Sequence, residues 1–372
     1  MKYYSEAEAR ELVIKAGHML LEKKLIARTW GNISARISEE AFIITPSGRG
    51  YDSLAPEDLV IVRVKDGSYE GSIKPSSEKG IHAAAYGLRK ELCFIIHTHQ
   101  YYASALAAEC RDTRFAPCAE YGLPGTGRLR KNVETRIRQH PDKKMFLMAR
   151  HGALLLGKSL EEAFELAEQL EAKSRELVEA RIPDHDPERE GMIDADAVRT
   201  EAFPCVTVVR DRYIMECCRA GITVAPFIDD FAQIVGPDMQ VVANDVVTVQ
   251  RALLGYSTES PSGAAGGIIS KIPLTGALNR SGGVPMTGAL NQRGGVHPVL
   301  NRYIGRNAVL VKGVGAVCAG RTKEDVEAAA MIVSKNCLAA CYVRKARPLS
   351  KTDARLQRYI YLASYSGKIN DR

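Results

Sequence analysis

Two histidines, His97 and His99, stand two residues apart at the end of an apolar stretch, CFIIHTH. If that stretch is a β-strand, alternation puts both rings on one face with their Cα atoms ~6–7 Å apart. Two imidazoles at this spacing can converge on one metal ion. The same spacing also fits two histidines that merely end a strand, so a metal site requires further ligands.

A third histidine, His151, follows another apolar stretch and opens a glycine turn in ARHGALLLG. Three histidines with an open fourth position form the catalytic rather than the structural arrangement of zinc. Glu78, in KPSSE, could ligate, hydrogen-bond to or deprotonate what occupies that position. Each residue also has a structural interpretation. His151 could be a core or turn histidine, and Glu78 an acid favoured at a helix N-terminus.

Three short stretches suggest anion binding: GN at 31–32, TPSG at 45–48 and SS at 76–77. Backbone N–H groups in such turns form nests that fit phosphate. Ser76 and Ser77 also precede a predicted helix, whose N-terminus favours anions. Ordinary turn and capping roles are the alternative for each stretch.

The elements that must position these residues alternate between strands and helices. Ser5 and Glu8 form a capping box at the start of a first helix. Strands are predicted in AFIITPS, LVIVRV and CFIIHTH, with a helix at 79–91 between the last two. Another strand region, KMFLMARHGALLLG, precedes a helix capped by Ser159 that extends to about Ala180. This alternation around one sheet predicts an α/β fold, specifically an αβα sandwich.

A charged, proline-bearing stretch, RIPDHDPEREGMIDADAV, breaks this alternation. We therefore predict a domain at 1–185 and a second at 186–372. A glycine-rich stretch at 262–296 contains a near-exact tandem, LTGALNRSGGV and MTGALNQRGGV. Such glycine density favours a mobile loop, and a substrate lid is the other interpretation.

The second half repeats part of the first. Residues 145–180 and 308–343 share an apolar strand, a glycine turn, a short strand, a Ser/Thr cap and a long helix. This pattern predicts duplication. In the alignment Val314 stands opposite His151, so the second copy cannot perform the same histidine chemistry.

Composition limits the classes of partner. The 372 residues carry a formal net charge of +7 without a basic run, which argues against nucleic acid. No apolar run approaches the ~20 residues that cross a bilayer, and the start MKYYSEAEAR lacks the apolar core of a signal peptide. The odd number of cysteines, nine, without C-x-x-C spacing fits a reducing compartment. We expect a cytoplasmic protein.

Over roughly residues 5–180 the sequence resembles the class II aldolase/adducin family. The resemblance rests on six motifs in order: GNIS, ITPSG, PEDLVIV, KPSSE, IIHTH and ARHGALLLG. The resemblance implies a three-layer αβα sandwich around a mainly antiparallel sheet. It also implies a zinc ion, although the sequence does not exclude Mn²⁺, Co²⁺ or Fe²⁺. A homo-oligomer, dimer or tetramer, with active sites at domain or subunit contacts is implied as well.

Carried over to this sequence, the resemblance makes His97, His99 and His151 the metal ligands and Glu78 the acid/base. Tyr121, in PCAEYGLPGT, matches a segment that presents a tyrosine to the neighbouring subunit's site and is the candidate proton donor. The residues expected to hold the substrate phosphate are Gly31, Asn32, Ser47, Gly48, Ser76 and Ser77.

The implied reaction is reversible retro-aldol cleavage of a ketose 1-phosphate, similar to L-fuculose 1-phosphate, into dihydroxyacetone phosphate and a small aldehyde. Glu78 favours the aldolase branch, because epimerase members typically carry Asp there. A 4-epimerase or dehydratase on the same metal site is the alternative, and a non-catalytic adducin-like binding protein is another. The second half resembles the same domain without its metal histidines. There Asp229 and Asp230 are a candidate functional pair, or simply acids at a helix start.

Overall fold

The computed structural model describes residues 3–26, 29–182, 191–221, 223–255, 306–343 and 346–364. The glycine-rich stretch 262–296 lies outside them, so its interpretation as loop or lid stays a prediction.

The chain divides into two compact units. The first unit holds Met1–His185 together with two later segments, Phe227–Asp230 and Ser334–Leu349. The second holds Asp186–Pro226, Phe231–Val333 and Ser350–Arg372. Residues from the second half of the sequence therefore belong to the first unit.

The first unit contains the predicted strands and helices, together with a strand at 32–36 and helices at 101–107 and 127–139 that were not predicted from the sequence. Ser5 and Glu8 do form the predicted capping box, and Ser159 accepts a hydrogen bond from the Glu162 backbone. The elements are α1 (Glu6–Glu22), β1 (Asn32–Arg36), β2 (Ala41–Ile44), β3 (Val60–Arg63), α2 (Lys79–Leu88), β4 (Phe94–Thr98), α3 (Tyr101–Ala107), β5 (Cys118–Ala119), α4 (Gly127–Gln139), β6 (Met145–Met148), β7 (Gly152–Gly157) and α5 (Leu160–Glu179).

Helix α2 ends at Leu88, earlier than the predicted residue 91. The buried guanidinium of Arg36 donates hydrogen bonds to the carbonyl oxygens of Tyr86 and Lys90, at 3.2 and 3.3 Å. In a longer helix the Tyr86 carbonyl would accept from the N–H of residue 90. Arg36 thus satisfies a carbonyl that the helix end leaves without an intrahelical partner.

A seven-stranded sheet forms the centre of the first unit, in the order β3-β2-β1-β4-β7-β6-β5. Its neighbouring strands are antiparallel except β5 and β6, which are parallel. The register of β1 and β4 sets Asn32 opposite His97, and that of β4 and β7 sets Leu154 opposite His97. The sheet thereby gathers the ends of distant sequence motifs.

Helices cover both faces of this sheet. Helices α2 and α4 pack in one hydrophobic cluster with alternate strand residues such as Ile95 and Leu154. The strand residues between them, such as Ile96 and Leu155, are equally buried. Because side chains alternate across a strand, these face the opposite side, and α1, α3 and α5 contact the same strands. The unit is a mixed α/β fold with a central sheet.

The second unit contains a four-stranded sheet in the order β8-β11-β10-β9. The elements of the remaining chain are α6 (Ala195–Val198), β8 (Cys205–Val209), α7 (Arg212–Ala220), α8 (Asp229–Ile234), β9 (Val241–Val242), α9 (Val246–Leu253), β10 (Ala308–Val311), β11 (Gly315–Gly320), α10 (Lys323–Tyr342) and α11 (Lys351–Ser364). The division of the chain assigns residues of α8 and α10 to both units.

The repeated stretch has a local structural counterpart. Strands β10 and β11 form an antiparallel hairpin followed by α10, as β6 and β7 form one followed by α5. Gly315 begins β11 as Gly152 begins β7. A hairpin and a helix are a small part of a domain, so the degenerate second copy as a whole stays a prediction.

Within the described ranges, no helix is both long enough and apolar enough to cross a bilayer.

Candidate metal centre

Three histidines meet where strand β4 ends beside the β6–β7 turn. His97 lies on β4, His99 follows its end, and His151 directly precedes β7, the neighbour of β4. Their rings offer ligand atoms that all lie within 4.8 Å of one another, and all three residues are buried. The strand alternation of H-x-H therefore brings both rings to one point, and the turn supplies the third.

Each of the three rings donates from Nδ1 to an oxygen. A carbonyl oxygen or an ionised carboxylate can only accept, so each Nδ1 carries a proton, and in the neutral ring the lone pair is on Nε2. The three pairs are His97 with the Ala153 carbonyl at 2.8 Å, His99 with Asp230 at 2.7 Å and His151 with Asp229 at 3.0 Å.

The Nε2 atoms of His97 and His151 lie against Glu78, and that of His99 lies against His97. The Nε2 atoms of His97 and His99 are 2.9 Å apart, which sets two lone pairs against each other. Glu78 Oε1 lies 2.9 Å from His151 Nε2, and Glu78 Oε2 lies 3.2 Å from His97 Nε2. Although both are buried, Glu78 Oε1 and His151 Nε2 have no partner among the described residues except each other. Three ring nitrogens and a buried carboxylate oxygen at these distances fit the donor set of a divalent ion.

The charges of the cluster act on one another strongly. Burial by itself would raise the pKa of Glu78, but the adjacent His151 and His97 hold it well below its usual range. Burial would lower the pKa of His151, yet Glu78 and Asp229 raise it to about 10, so without a metal ion this ring also carries a proton on Nε2, which a bound ion would replace. Burial lowers the pKa of His99 to about 4 despite Asp230. Glu78 is therefore ionised, as a ligand or a base must be.

A chain of buried hydrogen bonds fixes Glu78. Its Oε2 accepts from the Asn32 amide nitrogen at 3.0 Å, and the Asn32 amide oxygen pairs with His82 Nε2 at 2.5 Å. His82 Nδ1 pairs with the Ser34 hydroxyl at 2.6 Å. Burial lowers the pKa of His82 to about 3, so the neutral ring donates from Nε2 and accepts at Nδ1. Sequence reasoning missed His82, although it follows Glu78 by four residues, about one helical turn.

Two glycines are required where backbones approach at the site. Gly31 has φ +83°, and a Cβ there would lie 2.5 Å from the His97 carbonyl oxygen. A Cβ at Gly152 would overlap the Thr98 carbonyl oxygen and lie 3.1 Å from His97 Cε1. Any side chain at either position would displace β4 and the His97 ring with it.

The residues predicted to hold a phosphate come from segments that lie side by side. The Ser47 N–H donates to the Lys74 carbonyl at 2.9 Å, and the Ser76 N–H donates to the Thr45 carbonyl at 3.0 Å. Gly48, at φ +76°, continues the first segment, and the Thr45 N–H donates to the Ile33 carbonyl in β1. Their role toward a phosphate stays a prediction, and the Asn32 side chain is occupied by Glu78 and His82.

A cavity of about 240 Å³ opens beside Glu78. Ser77 and Glu78 line it at the start of α2, and Gly127 and Arg130 line it at the start of α4. Two helix N-termini, Lys79 and Arg130 present positive charge to this cavity, and the carboxylates of Asp66 and Glu78 oppose it. Arg130 was not singled out from the sequence.

Tyr121 is joined to the histidine cluster through a carboxylate of its own chain. Its hydroxyl donates to Asp229 Oδ1 at 3.2 Å, while Asp229 Oδ2 accepts from His151. The Arg150 guanidinium lies 5.9 Å from the Tyr121 ring centroid. The predicted donation of a proton by Tyr121 in a neighbouring subunit's site stays a prediction.

Comparisons with known proteins identify similar chains. Residues 11–177 match the family model described as class II aldolase and adducin N-terminal domain. A 5-deoxy-D-ribulose 1-phosphate aldolase of Bacillus thuringiensis is 32% identical over 174 residues, which are 44% of this chain and 80% of that protein. A 5-methylthioribulose-1-phosphate/5-deoxyribulose-1-phosphate aldolase of Escherichia coli is 36% identical over 38% of this chain and 70% of its own.

Two further similar proteins are a decarboxylase and an aldolase of known structure. A 3-oxo-tetronate 4-phosphate decarboxylase of Haemophilus influenzae is 27% identical, over 45% of this chain and 85% of its own. Among solved structures, the L-fuculose-1-phosphate aldolase from Thermus thermophilus is 27% identical, with a TM-score of 0.40, over 46% of this chain and 93% of that one.

Proposed function

Because this chain belongs to the class II aldolase and adducin family, we propose that it cleaves a ketose 1-phosphate reversibly into dihydroxyacetone phosphate and a small aldehyde. The family predicted from the sequence motifs is confirmed by the family match and by the 32% identical relative. It is an enzyme of the metal-dependent class II aldolase type, a carbon–carbon lyase, as its relatives are. A substrate similar to L-fuculose 1-phosphate is the finer proposal.

The observation that carries this proposal is a buried cluster of three imidazole rings, two of which place their Nε2 atoms within 3.2 Å of the Glu78 carboxylate. We propose His97, His99 and His151 as the ligands of Zn²⁺, with Mn²⁺, Co²⁺ or Fe²⁺ as other ions that such a donor set accepts. When bound, the ion would supply Lewis-acid polarisation of the substrate's oxygens.

Glu78 is the proposed acid/base. Its Oε2 is held by Asn32, so Oε1 is the oxygen that would exchange a proton when it does not ligate the ion. In the synthetic direction it removes a proton from the carbon of dihydroxyacetone phosphate that forms the new bond. In cleavage, as that carbon–carbon bond breaks, it returns a proton to the same carbon. An ionised, fixed carboxylate suits the first of these steps.

Tyr121 is the proposed proton donor on the aldehyde side. It gives its hydroxyl proton to the aldehyde oxygen during synthesis and takes a proton from the substrate hydroxyl during cleavage. The turn residues Gly31, Asn32, Ser47, Gly48, Ser76 and Ser77 are proposed to hold the substrate phosphate. Binding a phosphate away from the reacting bond orients the substrate, and relatives that act on 1-phosphates support this role.

We further propose that residues 1–185 form the catalytic domain and that 186–372 form a degenerate, adducin-like copy. The matching hairpins β6–β7 and β10–β11 support the second statement. We also propose a cytoplasmic homo-oligomer whose partner is a phosphorylated sugar rather than nucleic acid or membrane.

A decarboxylase of a phosphorylated 3-oxo acid is the second candidate, because two relatives carry that activity. Both reactions leave a carbanion beside a carbonyl, so the same cluster of histidines could serve either. The two reactions differ in the second product, which is an aldehyde for the aldolase and CO₂ for the decarboxylase.

The test is an assay of a ketose 1-phosphate panel, including L-fuculose and 5-deoxyribulose 1-phosphates, coupled to detection of dihydroxyacetone phosphate. We expect cleavage by the metal-loaded protein and a loss of about 10²–10⁴-fold in kcat for Glu78→Gln. Glu70→Gln, at an exposed position, is the matched control. Activity should disappear on dialysis against a chelator and return with Zn²⁺.

Other outcomes would point elsewhere. Release of CO₂ from a phosphorylated 3-oxo acid without cleavage of any ketose phosphate would support the decarboxylase. An isomeric phosphate or loss of water would support the epimerase or dehydratase. Absence of bound metal in the purified full chain would leave only the binding-protein interpretation.

A further inference from the structure

Two adjacent acids from the second half of the chain are buried against two different ligand histidines. Asp229 and Asp230 are fully buried at the start of α8. Both lie in the segment Phe227–Asp230, which belongs to the first unit. They do stand at a helix start, as one interpretation of the sequence had it, but both carboxylates are buried and paired with histidines.

Asp229 is anchored through its backbone and both carboxylate oxygens. Its N–H donates to the Arg150 carbonyl at 2.8 Å, next to His151. Its Oδ2 accepts from His151 Nδ1 at 3.0 Å, and its Oδ1 accepts from the Tyr121 hydroxyl at 3.2 Å. The carboxylate therefore fixes the rotation of the His151 ring.

Asp230 is fixed by a buried ammonium group. Its Oδ1 accepts from His99 Nδ1 at 2.7 Å, and its Oδ2 accepts from Lys335 Nζ at 2.6 Å. Lys335 Nζ also donates to the His99 backbone carbonyl at 3.0 Å. Lys335 therefore holds both the carboxylate and the backbone of the histidine that the carboxylate orients.

The two segments that supply these groups are joined to each other. The Phe227 N–H donates to the Asn336 side-chain oxygen at 2.8 Å. The Ser334 hydroxyl pairs with the Tyr101 hydroxyl of α3 at 2.6 Å. Both segments, 227–230 and 334–349, are parts of the first unit.

We propose that Asp229 and Asp230 are positioning residues of the metal centre, through which the second half of the chain completes the site. Each holds the Nδ1–H of one histidine, so that Nε2 of His151 and of His99 faces the ion. His97 needs no such residue, because the Ala153 carbonyl accepts from its Nδ1. A carboxylate on the outer nitrogen of a metal-bound histidine fixes its tautomer and increases its basicity. The inference rests on the metal centre proposed above.

The test measures Zn²⁺ affinity of the full chain by competition with a chromophoric chelator. We expect Asp229→Ala and Asp230→Ala each to bind Zn²⁺ about 10–100-fold more weakly than the unchanged protein. The visible absorption spectrum of the Co²⁺-loaded protein should also change, because the orientation of one ligand ring is no longer fixed. A purely structural role would leave that spectrum unchanged.

Asp245→Ala is the matched control. It removes the acid that caps α9 and should lower the melting temperature without changing the Zn²⁺ affinity. Asp229→Asn and Asp230→Asn keep an oxygen that can accept the Nδ1–H. They should recover part of the affinity, and they decide the question if the alanine variants do not fold.

The outcomes separate this inference from the proposed function. If the unchanged protein binds one Zn²⁺ per chain, and the folded variants bind it within twofold of that affinity with unchanged Co²⁺ spectra, the positioning role is wrong and the metal centre stands. If the unchanged protein binds no divalent ion, the proposed function itself is wrong.

Discussion

Asn32 lies opposite His97 in the register of β1 and β4, and its side-chain amide donates to Glu78, the proposed acid/base, at 3.0 Å. One residue thus links the strand that carries a predicted metal ligand to the carboxylate. The GN motif therefore does more than form a turn before β1. Its asparagine holds Glu78 in place.

Asn32→Ala should reduce kcat by about 10–100-fold, the range of other outer-shell substitutions around metal sites. It leaves Glu78 Oε2 and His82 Nε2 without the amide that joins them, so the carboxylate loses its fixed orientation. The retro-aldol assay measures this effect. Asn244→Ala removes a side-chain hydrogen bond to the Met192 carbonyl instead and should leave kcat unchanged. Equal kcat for both variants would contradict the role of Asn32.

Gly152→Ala should weaken both folding and metal binding. The added methyl would overlap the Thr98 carbonyl oxygen and press on the His97 ring, so β4 and β7 must separate. We expect a loss of about 3 kcal/mol in the free energy of unfolding, together with weaker Zn²⁺ binding.

Gly87→Ala is the contrasting substitution. Gly87 lies in α2, and the nearest atom to its added Cβ would be Val64 Cγ1 at 3.9 Å. Alanine in a helix should therefore add roughly 0.5–1 kcal/mol. Urea unfolding of both variants checks the pair, and a Gly152→Ala protein as stable as Gly87→Ala would show that the strands tolerate the methyl.

Lys335→Met should destabilise the chain by roughly 3–5 kcal/mol, because it leaves the buried Asp230 carboxylate without its cation. Lys335→Met combined with Asp230→Asn removes both charges and should recover a large part of that loss. Thermal and urea unfolding measure the free energy of unfolding of both single variants and of the double variant. The difference between the double variant's loss and the sum of the single losses gives the coupling between the two groups. Additive losses in the double variant would contradict a buried ion pair.

His82 should make folding sensitive to acid. Its pKa is about 3 in the folded protein, lowered from 6.5 by burial, so the folded state binds the proton less readily than the unfolded state. The stability it contributes is complete above pH 6.5 and is lost as pH falls from 6.5 toward 3. The slope approaches about 1.4 kcal/mol per pH unit for one proton.

His82→Gln removes this titration. The difference in unfolding free energy between the unchanged protein and His82→Gln should therefore shrink as pH falls from 7 to 4, measured by urea unfolding. His140→Gln, at the end of α4, serves as a control for the loss of a less buried histidine. A difference that stays constant across this range would show that His82 is not held neutral.

The sequence by itself determined the local features. Strand alternation placed His97 and His99 on one face, capping residues located the starts of α1 and α5, and the order of motifs identified the family. Strand alternation and helix capping depend on residues close together in the chain, whose geometry follows from backbone period and hydrogen bonding. The order of motifs can be read directly from the sequence. The predicted end of α2 was wrong. Arg36, on strand β1, donates hydrogen bonds to the carbonyl oxygens of Tyr86 and Lys90 where the helix ends, and the sequence does not show this contact.

The tertiary structure alone decided which groups hold the predicted ligands. Asp229 and Asp230 reach His151 and His99 across 78 and 131 positions of sequence, and His82 reaches Asn32 across 50. Pairings over such separations leave no period or spacing in the sequence, since they depend on strand order and on how distant segments fold together. Burial and the neighbouring charges then set the protonation state of each group, and both are properties of the folded chain rather than of any motif.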